Sequence, residues 1–307
     1  MVKVLYLAGD GRSGSTLLNI ALGNHDDVVA TGELCNVYRY VFGQNNWCSC
    51  GVPVNDCGFW SGIRDSLRAY DPEEILRLQS RFESNRAAWR WPWLAGMNLN
   101  GFQTYQGFLL DLVRSVQEVS GKSILVDASK LPGRAMALAS IPEVEFYLVN
   151  LVRDSRALVW ARSKSWQQDL QNGIESNVPA RSTSRVCFDW CKANLLTSLV
   201  RRQLHPSRSI RVRYEDFTTN PRSVLERIGE MLQVDFGKVA TALQSGECLK
   251  KGHIGSGNRM RMGEVRLKPD FGWMDQLPSR SQAVAWALTG TLLRRYGYQR
   301  RLSFPSE

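Results

Sequence analysis

The chain has 307 residues and carries 39 lysines and arginines against 29 acids, a formal net charge of +10. Its 43% hydrophobic share supplies a large core, and the absence of any run of eighteen apolar residues excludes a membrane-spanning helix. The basic residues are scattered rather than striped, and neither a helix-turn-helix nor an aromatic RNA motif occurs, so a small anionic ligand is expected rather than nucleic acid. No linker, repeat or low-complexity tract divides the chain, which reads as one domain over 1–307. The apolar stretch after Met1-Val-Lys is too short for a signal-peptide core, so a soluble, cytoplasmic protein is expected.

Val4-Leu-Tyr-Leu-Ala8 reads as a strand running into Gly9, Gly11 and Gly14, after which Leu18, Ala21 and Leu22 fall on one helical face. Strand, glycine-rich loop and helix start make an anion cradle, because loop amides and the helix N-terminus aim partial positive charge at one spot. The spacing approaches the nucleotide P-loop at Gly9, Gly14 and Thr16, but Ser15 occupies the place of the lysine that reaches the β- and γ-phosphates. The cation is instead Arg12, whose planar fork suits a phosphate or sulfate group.

Val28 to Thr31 reads as a short second strand ending at Gly32-Glu33. Cys48, Cys50 and Cys57 form one tight group that could bind zinc, with Cys35 as a fourth ligand, but the usual paired spacing is absent and a structural loop is the favoured reading. Asp71-Pro72 opens a helix with an N-cap and proline at its first position. Trp89, Trp91 and Trp93 alternate around a proline as an aromatic wall or flap, read equally well as core packing or as a binding face. Phe108 to Val119 is helical and closed by Gly121; Ser123 to Asp127 is a strand, followed by Ser129-Lys130. Read as a Walker B acid, Asp127 would hold magnesium, which makes a P-loop kinase or NTPase the alternative enzyme. Glu145 to Val152 is another strand, ending at Arg153 before a helix over Ala157 to Trp166, a second strand–arginine–helix junction and so a second anion site. Cys187 and Cys191 lie a turn apart on a long helix, Arg185 to Leu204, and are expected to be buried thiols. Ser209 to Arg213 is a strand leading to Tyr214, Asn220-Pro221 caps a further helix, Lys250 to Arg261 is a basic glycine-rich loop, and Ser281 to Tyr296 is the last helix. Alternating strands and helices imply an α/β fold in three layers around a parallel sheet, P-loop-like, with ligands at the strands' carboxyl ends.

With two cradles in view, the chain resembles sulfotransferases that use 3′-phosphoadenosine 5′-phosphosulfate (PAPS), among them bacterial, carbohydrate and protein-tyrosine enzymes. Gly11-Arg-Ser-Gly-Ser-Thr16 resembles their 5′-phosphosulfate loop and Leu151-Val-Arg-Asp-Ser-Arg-Ala157 their 3′-phosphate segment, while Arg213 to Asp216 and His253 to Arg261 resemble later segments. The resemblance implies that Arg12, Ser13, Gly14, Ser15 and Thr16 hold the 5′ end of PAPS, and Arg153, Tyr214 and Arg261 the 3′ end. Protein-tyrosine sulfotransferases carry a catalytic glutamate twenty-one residues after the loop arginine, the separation between Arg12 and Glu33, and Lys130 resembles the family lysine that meets the transferred group. The implied reaction forms a sulfate ester on a hydroxyl of a small molecule, sugar, lipid or peptide, with catalytic Glu33, Lys130 and Arg12 and no metal. An insertion around 37–106 would supply the acceptor wall. The pattern departs at Ala161, where relatives place a serine for the 3′-phosphate, and at Arg259, where they often have proline. A non-catalytic nucleotide or polyanion binder is the reading outside enzymes.

Overall fold

The computed structural model describes residues 1–84, 88 and 100–300. Five parallel strands make the central sheet, in the order β2-β3-β1-β4-β5: β1 is Val2–Gly9, β2 Val28–Ala30, β3 Ile124–Lys130, β4 Val144–Val152 and β5 Ser209–Arg213. β1 is the central strand and is buried on both faces. Its even side chains Val4, Tyr6 and Ala8 enter the hydrophobic cluster on one side of the sheet, while Leu5 and Leu7 enter the cluster on the other. That two-residue period, with apolar residues at both phases, is the signature of a parallel sheet covered by helices on both sides.

In chain order the helices that matter for the site are α1 (Ser15–Leu22), α2 (Gly58–Ser66), α3 (Pro72–Phe82), α4 (Phe102–Ser120), α5 (Pro132–Ala139), α6 (Ser155–Arg162) and α7 (Thr183–Gln203). They are followed by α8 (Tyr214–Thr219), α9 (Pro221–Leu232) and α10 (Ser279–Arg295). The expected caps hold: Asp71 accepts from Glu73 and Glu74 amides, and Asn220 from that of Ser223. α4 begins earlier than its apolar run suggests, because Gly101 takes a left-handed φ of 81° and Tyr105 adds a further buried turn. The helix expected to reach Trp166 stops at Arg162, since Trp166 instead pairs with Val178 through two 2.8 Å backbone hydrogen bonds.

Strand order reverses direction around β1, because β2 and β3 lie to one side and β4 and β5 to the other. The carboxyl edge at such a switch point opens a crevice for ligands, and the loop after β1 stands at its centre. Among the described residues no helix is long and apolar enough to cross a membrane. Trp89, Trp91 and Trp93 lie outside the described residues.

Candidate active site

The β1–α1 loop is shaped for close approach. Gly14 has φ 91°, and a Cβ there would stand 2.4 Å from the Tyr214 ring. It serves as N-cap of α1 without any side-chain cap, which leaves the first-turn amides of the helix available to an anion. Arg12 and Lys130 are two of only four non-glycine residues with left-handed backbone among those described. Each such residue costs about 1–3 kcal/mol and persists only where its surroundings impose it, which marks the two cations as positioned rather than incidental.

A cavity of about 650 Å³ opens here, lined by Arg12, Gly14, Ser15 and Thr16 together with Arg153 and Tyr214. Arg153 and the loop are in direct contact: Nη1 donates to the Arg12 carbonyl at 3.1 Å, and the guanidinium stacks on Tyr214 with its carbon 4.2 Å from the ring centroid. The other guanidinium nitrogen donates to the Asp270 carboxylate at 2.9 Å and carbonyl at 2.8 Å, while the buried Nε has no partner among the described residues. The Tyr214 hydroxyl accepts the Asp270 amide at 3.2 Å, and burial raises its pKa.

Burial, followed by the nearby cations Arg162 and Arg259, lowers the pKa of Arg12. Several guanidiniums gathered in one half-desolvated cavity repel one another, and a bound anion relieves that cost. Arg162 is tied to Asp10 at 2.6 Å and to the Gly11 carbonyl at 2.8 Å, so it braces the loop. Arg259 stacks on Trp166 at 4.0 Å, and both line the cavity wall.

Glu33 follows β2 and reaches the same cavity. Its amide donates to the Ser256 carbonyl at 3.2 Å, and Gly32 and Ser256 form an isolated parallel bridge. Its Oε1 lies 2.5 Å from Lys130 Nζ, whose ammonium also donates to the Ala128 carbonyl at 3.0 Å. The pair is partly open, with side chains 22% and 15% exposed. A second cavity of about 760 Å³ lies against it, lined by Cys35, Arg39, Gln79, Glu83, Arg185 and Lys192 among others. Glu33, Lys130, Gly11 and Arg181 line both cavities, so the two meet at this ion pair. A carboxylate at such a junction can take a proton from a group in one chamber as an ammonium neutralises charge developing in the other.

Several expectations need correction. Arg261 is completely buried, 3.5 Å from Glu175 Oε1, and does not line the cavity; Arg259 stands there instead. Ser13 is buried behind the loop, its hydroxyl unpartnered among the described residues. The helix N-terminus after Arg153 is no anion cradle, because the Asp154 carboxylate caps it by accepting the Arg156 amide at 2.9 Å. What that junction offers the cavity is the Arg153 side chain alone. Asp127, the Walker B candidate, is consumed internally: Oδ2 accepts from Arg134 Nε at 2.8 Å, and Oδ1 accepts the Ser129 amide and hydroxyl. Cys35 stands apart from the other thiols, its amide donating to Ser129 Oγ at 2.9 Å. Cys187 is buried as expected, whereas Cys191 is only partly so. Ala161 lines the cavity, and the nearby Ser163 hydroxyl turns back to the Trp160 carbonyl at 2.8 Å. Sequence reasoning missed Arg181, Arg266, Lys268 and Asp270, which come from irregular segments without periodicity.

A glycine-rich loop at the head of a central parallel strand, with several cations lining one cavity, defines the class: a P-loop-like α/β protein. The Sulfotransferase family model matches residues 5–238, and the chain belongs to that family. Solved structures with the same fold include the sulfotransferase domain from the curacin biosynthetic pathway, at 18% identity and TM-score 0.53, covering 97% of this chain and 99% of that one. The sulfotransferase domain of the Synechococcus PCC 7002 olefin synthase follows at 18% identity and TM-score 0.51, over 97% and 95% of the two chains. Sulfotransferase STF9 from Mycobacterium avium is similar at 12% identity and TM-score 0.50, over 97% and 78%. A search of curated protein sequences finds no match.

Proposed function

We propose that the chain moves the sulfuryl group of PAPS to an acceptor hydroxyl, giving a sulfate ester and 3′,5′-ADP. The observation that carries this reading is the junction of the two cavities at Glu33 and Lys130, with Arg12 and Arg153 in contact with each other and both lining the first cavity. The cavity, at about 650 Å³, has room for one adenosine-sized ligand. The unpartnered Arg153 Nε, the uncapped start of α1 and the crowded guanidiniums around Arg12 all fit a ligand with anionic groups at both ends.

In this reading Arg12, Gly14, Ser15 and Thr16 bind the 5′-phosphosulfate, with Ser13 packed beneath as support. Arg153 and Tyr214 bind the 3′-phosphate end, with Arg266 and Lys268 on the same wall replacing the role first given to Arg261. PAPS supplies an activated sulfuryl group whose S–O bond to the 5′-phosphate breaks as the acceptor oxygen bonds to sulfur. Glu33 takes the acceptor hydroxyl's proton, while Lys130 and Arg12 neutralise charge moving to the leaving phosphate oxygen. Protein cations do this charge work, and the reading assigns no metal to the transfer. The second cavity is the acceptor chamber, with Arg39, Gln79 and Glu83 from the 37–106 segment forming part of its wall. We read the chain as one sulfotransferase domain acting in the cytoplasm.

The magnesium-dependent kinase reading loses its metal ligand, because both Asp127 oxygens are held by buried partners. A thermal-shift series with 3′,5′-ADP against ATP–Mg²⁺ tests the donor: stabilisation by the former supports the reading, and stabilisation by ATP–Mg²⁺ alone overturns it. Incubation with sulfur-labelled PAPS and a panel of hydroxyl acceptors then separates an enzyme from a mere binder, which would retain 3′,5′-ADP and release no labelled ester.

A further inference from the structure

Away from the two cavities, the Cys48–Cys57 loop meets the segment that ends at Ser256. Cys57 Sγ lies 3.8 Å from both Cys48 Sγ and Cys50 Sγ, and His253 Nδ1 lies 3.8 Å from Cys48 Sγ and 3.3 Å from Cys57 Sγ. All four ligand atoms fall within 4.8 Å of one another. Tetrahedral zinc with Zn–S near 2.3 Å and Zn–N near 2.0–2.1 Å has ligand–ligand edges of about 3.8 Å between sulfurs and about 3.6 Å between sulfur and nitrogen. The two sulfur–sulfur separations match that edge, the two nitrogen–sulfur separations lie on either side of theirs, and the remaining two of the six edges are no longer than 4.8 Å. They are also far longer than a disulfide, which needs about 2.05 Å between sulfurs.

The surroundings hold the ligands in place. Cys48, Cys50 and Gly51 form a tight turn in which the Gly51 amide donates to the Cys48 carbonyl at 2.9 Å and the Cys48 amide to that of Val52 at 2.9 Å. Gly51 sits at φ 97°, which a side chain would resist. Burial disfavours the thiolates of Cys48 and Cys57, and the backbone amides of Cys50 and of Trp60, in the first turn of α2, favour them. Amide donors of this kind offset thiolate charge around a metal. The His253 ring stacks on Phe59 with centroids 5.0 Å apart and planes 10° from parallel, which aims Nδ1 at the thiols.

We propose that Cys48, Cys50, Cys57 and His253 form a closed, structural Cys₃His zinc site. Four protein ligands fill a tetrahedron and leave no open position, so the metal staples chain rather than performs chemistry. The staple joins segments some two hundred residues apart. Its partner segment is already tied by Ser49, whose hydroxyl donates to the Gly252 carbonyl at 2.9 Å and whose amide donates to that of Ile254 at 3.0 Å. Two residues later Ser256 accepts the Glu33 amide, and its hydroxyl accepts from Asn36 at 2.8 Å. The metal thus braces the strip against which Glu33 is set.

The test is metal analysis of the full chain, purified without a histidine tag. We expect about one zinc per chain, retained through dialysis and released when an organomercurial blocks the thiols. Chelation should lower the melting temperature, and adding zinc should restore it. Replacement by cobalt(II) should give intense visible bands of tetrahedral geometry and thiolate-to-metal charge transfer in the near ultraviolet. Cys57→Ser should lose the zinc, while Cys248→Ser should keep it. Should Cys57→Ser fail to fold, the cobalt spectrum of the unaltered chain decides. A chain that binds neither zinc nor cobalt after mild reduction, or whose Cys50 and Cys57 are found disulfide-linked in the active protein, overturns the proposal.

Discussion

Two charge clusters grow from the same short stretch at the end of β3, and they differ in what surrounds them. Asp127 and Arg134 belong to a network with Glu83 and Tyr105: Arg134 Nη1 donates to Glu83 Oε1 at 2.7 Å, and the Tyr105 hydroxyl to the same oxygen at 2.5 Å. Arg134 and both carboxylates are within 2% of full burial. Desolvation by itself would weaken the Arg134 cation, but Glu83 and Asp127 outweigh it and hold its pKa well above the ordinary value. Three residues further on, Lys130 and Glu33 also pair, yet they face two cavities. In the first cluster Glu83 borders the second cavity, but its carboxylate is held by Arg134 and Tyr105 from within the protein. The second cluster keeps oxygen and ammonium within reach of a ligand, which is what a reacting centre requires. Proximity of opposite charges is therefore no sign of function; access to the pair is.

This contrast can be broken by substitution. Glu33→Ala should have the largest effect, lowering kcat by about 10²–10⁴-fold in a sulfuryl-transfer assay while 3′,5′-ADP affinity, measured calorimetrically, stays nearly intact. Equal loss of both would make Glu33 a structural residue. Arg134→Met should act in the opposite sense. It strands Glu83 and Asp127 as buried charges at a cost of about 3–5 kcal/mol in denaturant-induced unfolding, while kcat of the folded fraction barely moves. Lys130→Ala should reduce kcat by about 10²–10³-fold with little change in melting temperature. Arg153→Ala, beside the loop in the first cavity, should weaken 3′,5′-ADP by about 10–100-fold through lost charge-assisted hydrogen bonds, and leave 5′-AMP, which lacks the 3′-phosphate, much less affected. The smallest change is expected from Ala161→Ser, which places a hydroxyl on the cavity wall and should tighten 3′,5′-ADP by less than about tenfold, as one neutral hydrogen bond allows.

Much of the loop that lines the first cavity was legible because its signals are contiguous. Gly9 to Thr16 states its own geometry, since glycines, an arginine and an uncapped helix start follow one another along the chain. The parallel sheet was legible from apolar runs alternating with helical stretches. What escaped was whatever depends on pairing between distant segments. Asp127 has the local look of a magnesium ligand, and only the fold shows that it is occupied, by Arg134 from α5 and by Ser129. Arg259 and Arg261 are two residues apart in one basic loop, and no local pattern says that the first lines a cavity while the second turns inward to Glu175. The same limit hid His253, whose thiol partners are some two hundred residues away, and led to Cys35 as the fourth member of that group. Trp166 left its helix for Val178 because a cross-chain ladder satisfied its backbone better than another helical turn.

The bridge between Gly32 and Ser256 has a consequence for biogenesis. A ribosome delivers the glycine-rich loop and the central strand before Glu33, yet the carbonyl that receives the Glu33 amide arrives more than two hundred residues later. Until that later segment docks, the nascent chain can own the glycine-rich loop without an aligned carboxylate beside it. Ordering of Glu33 thus waits for a segment made more than two hundred residues after it.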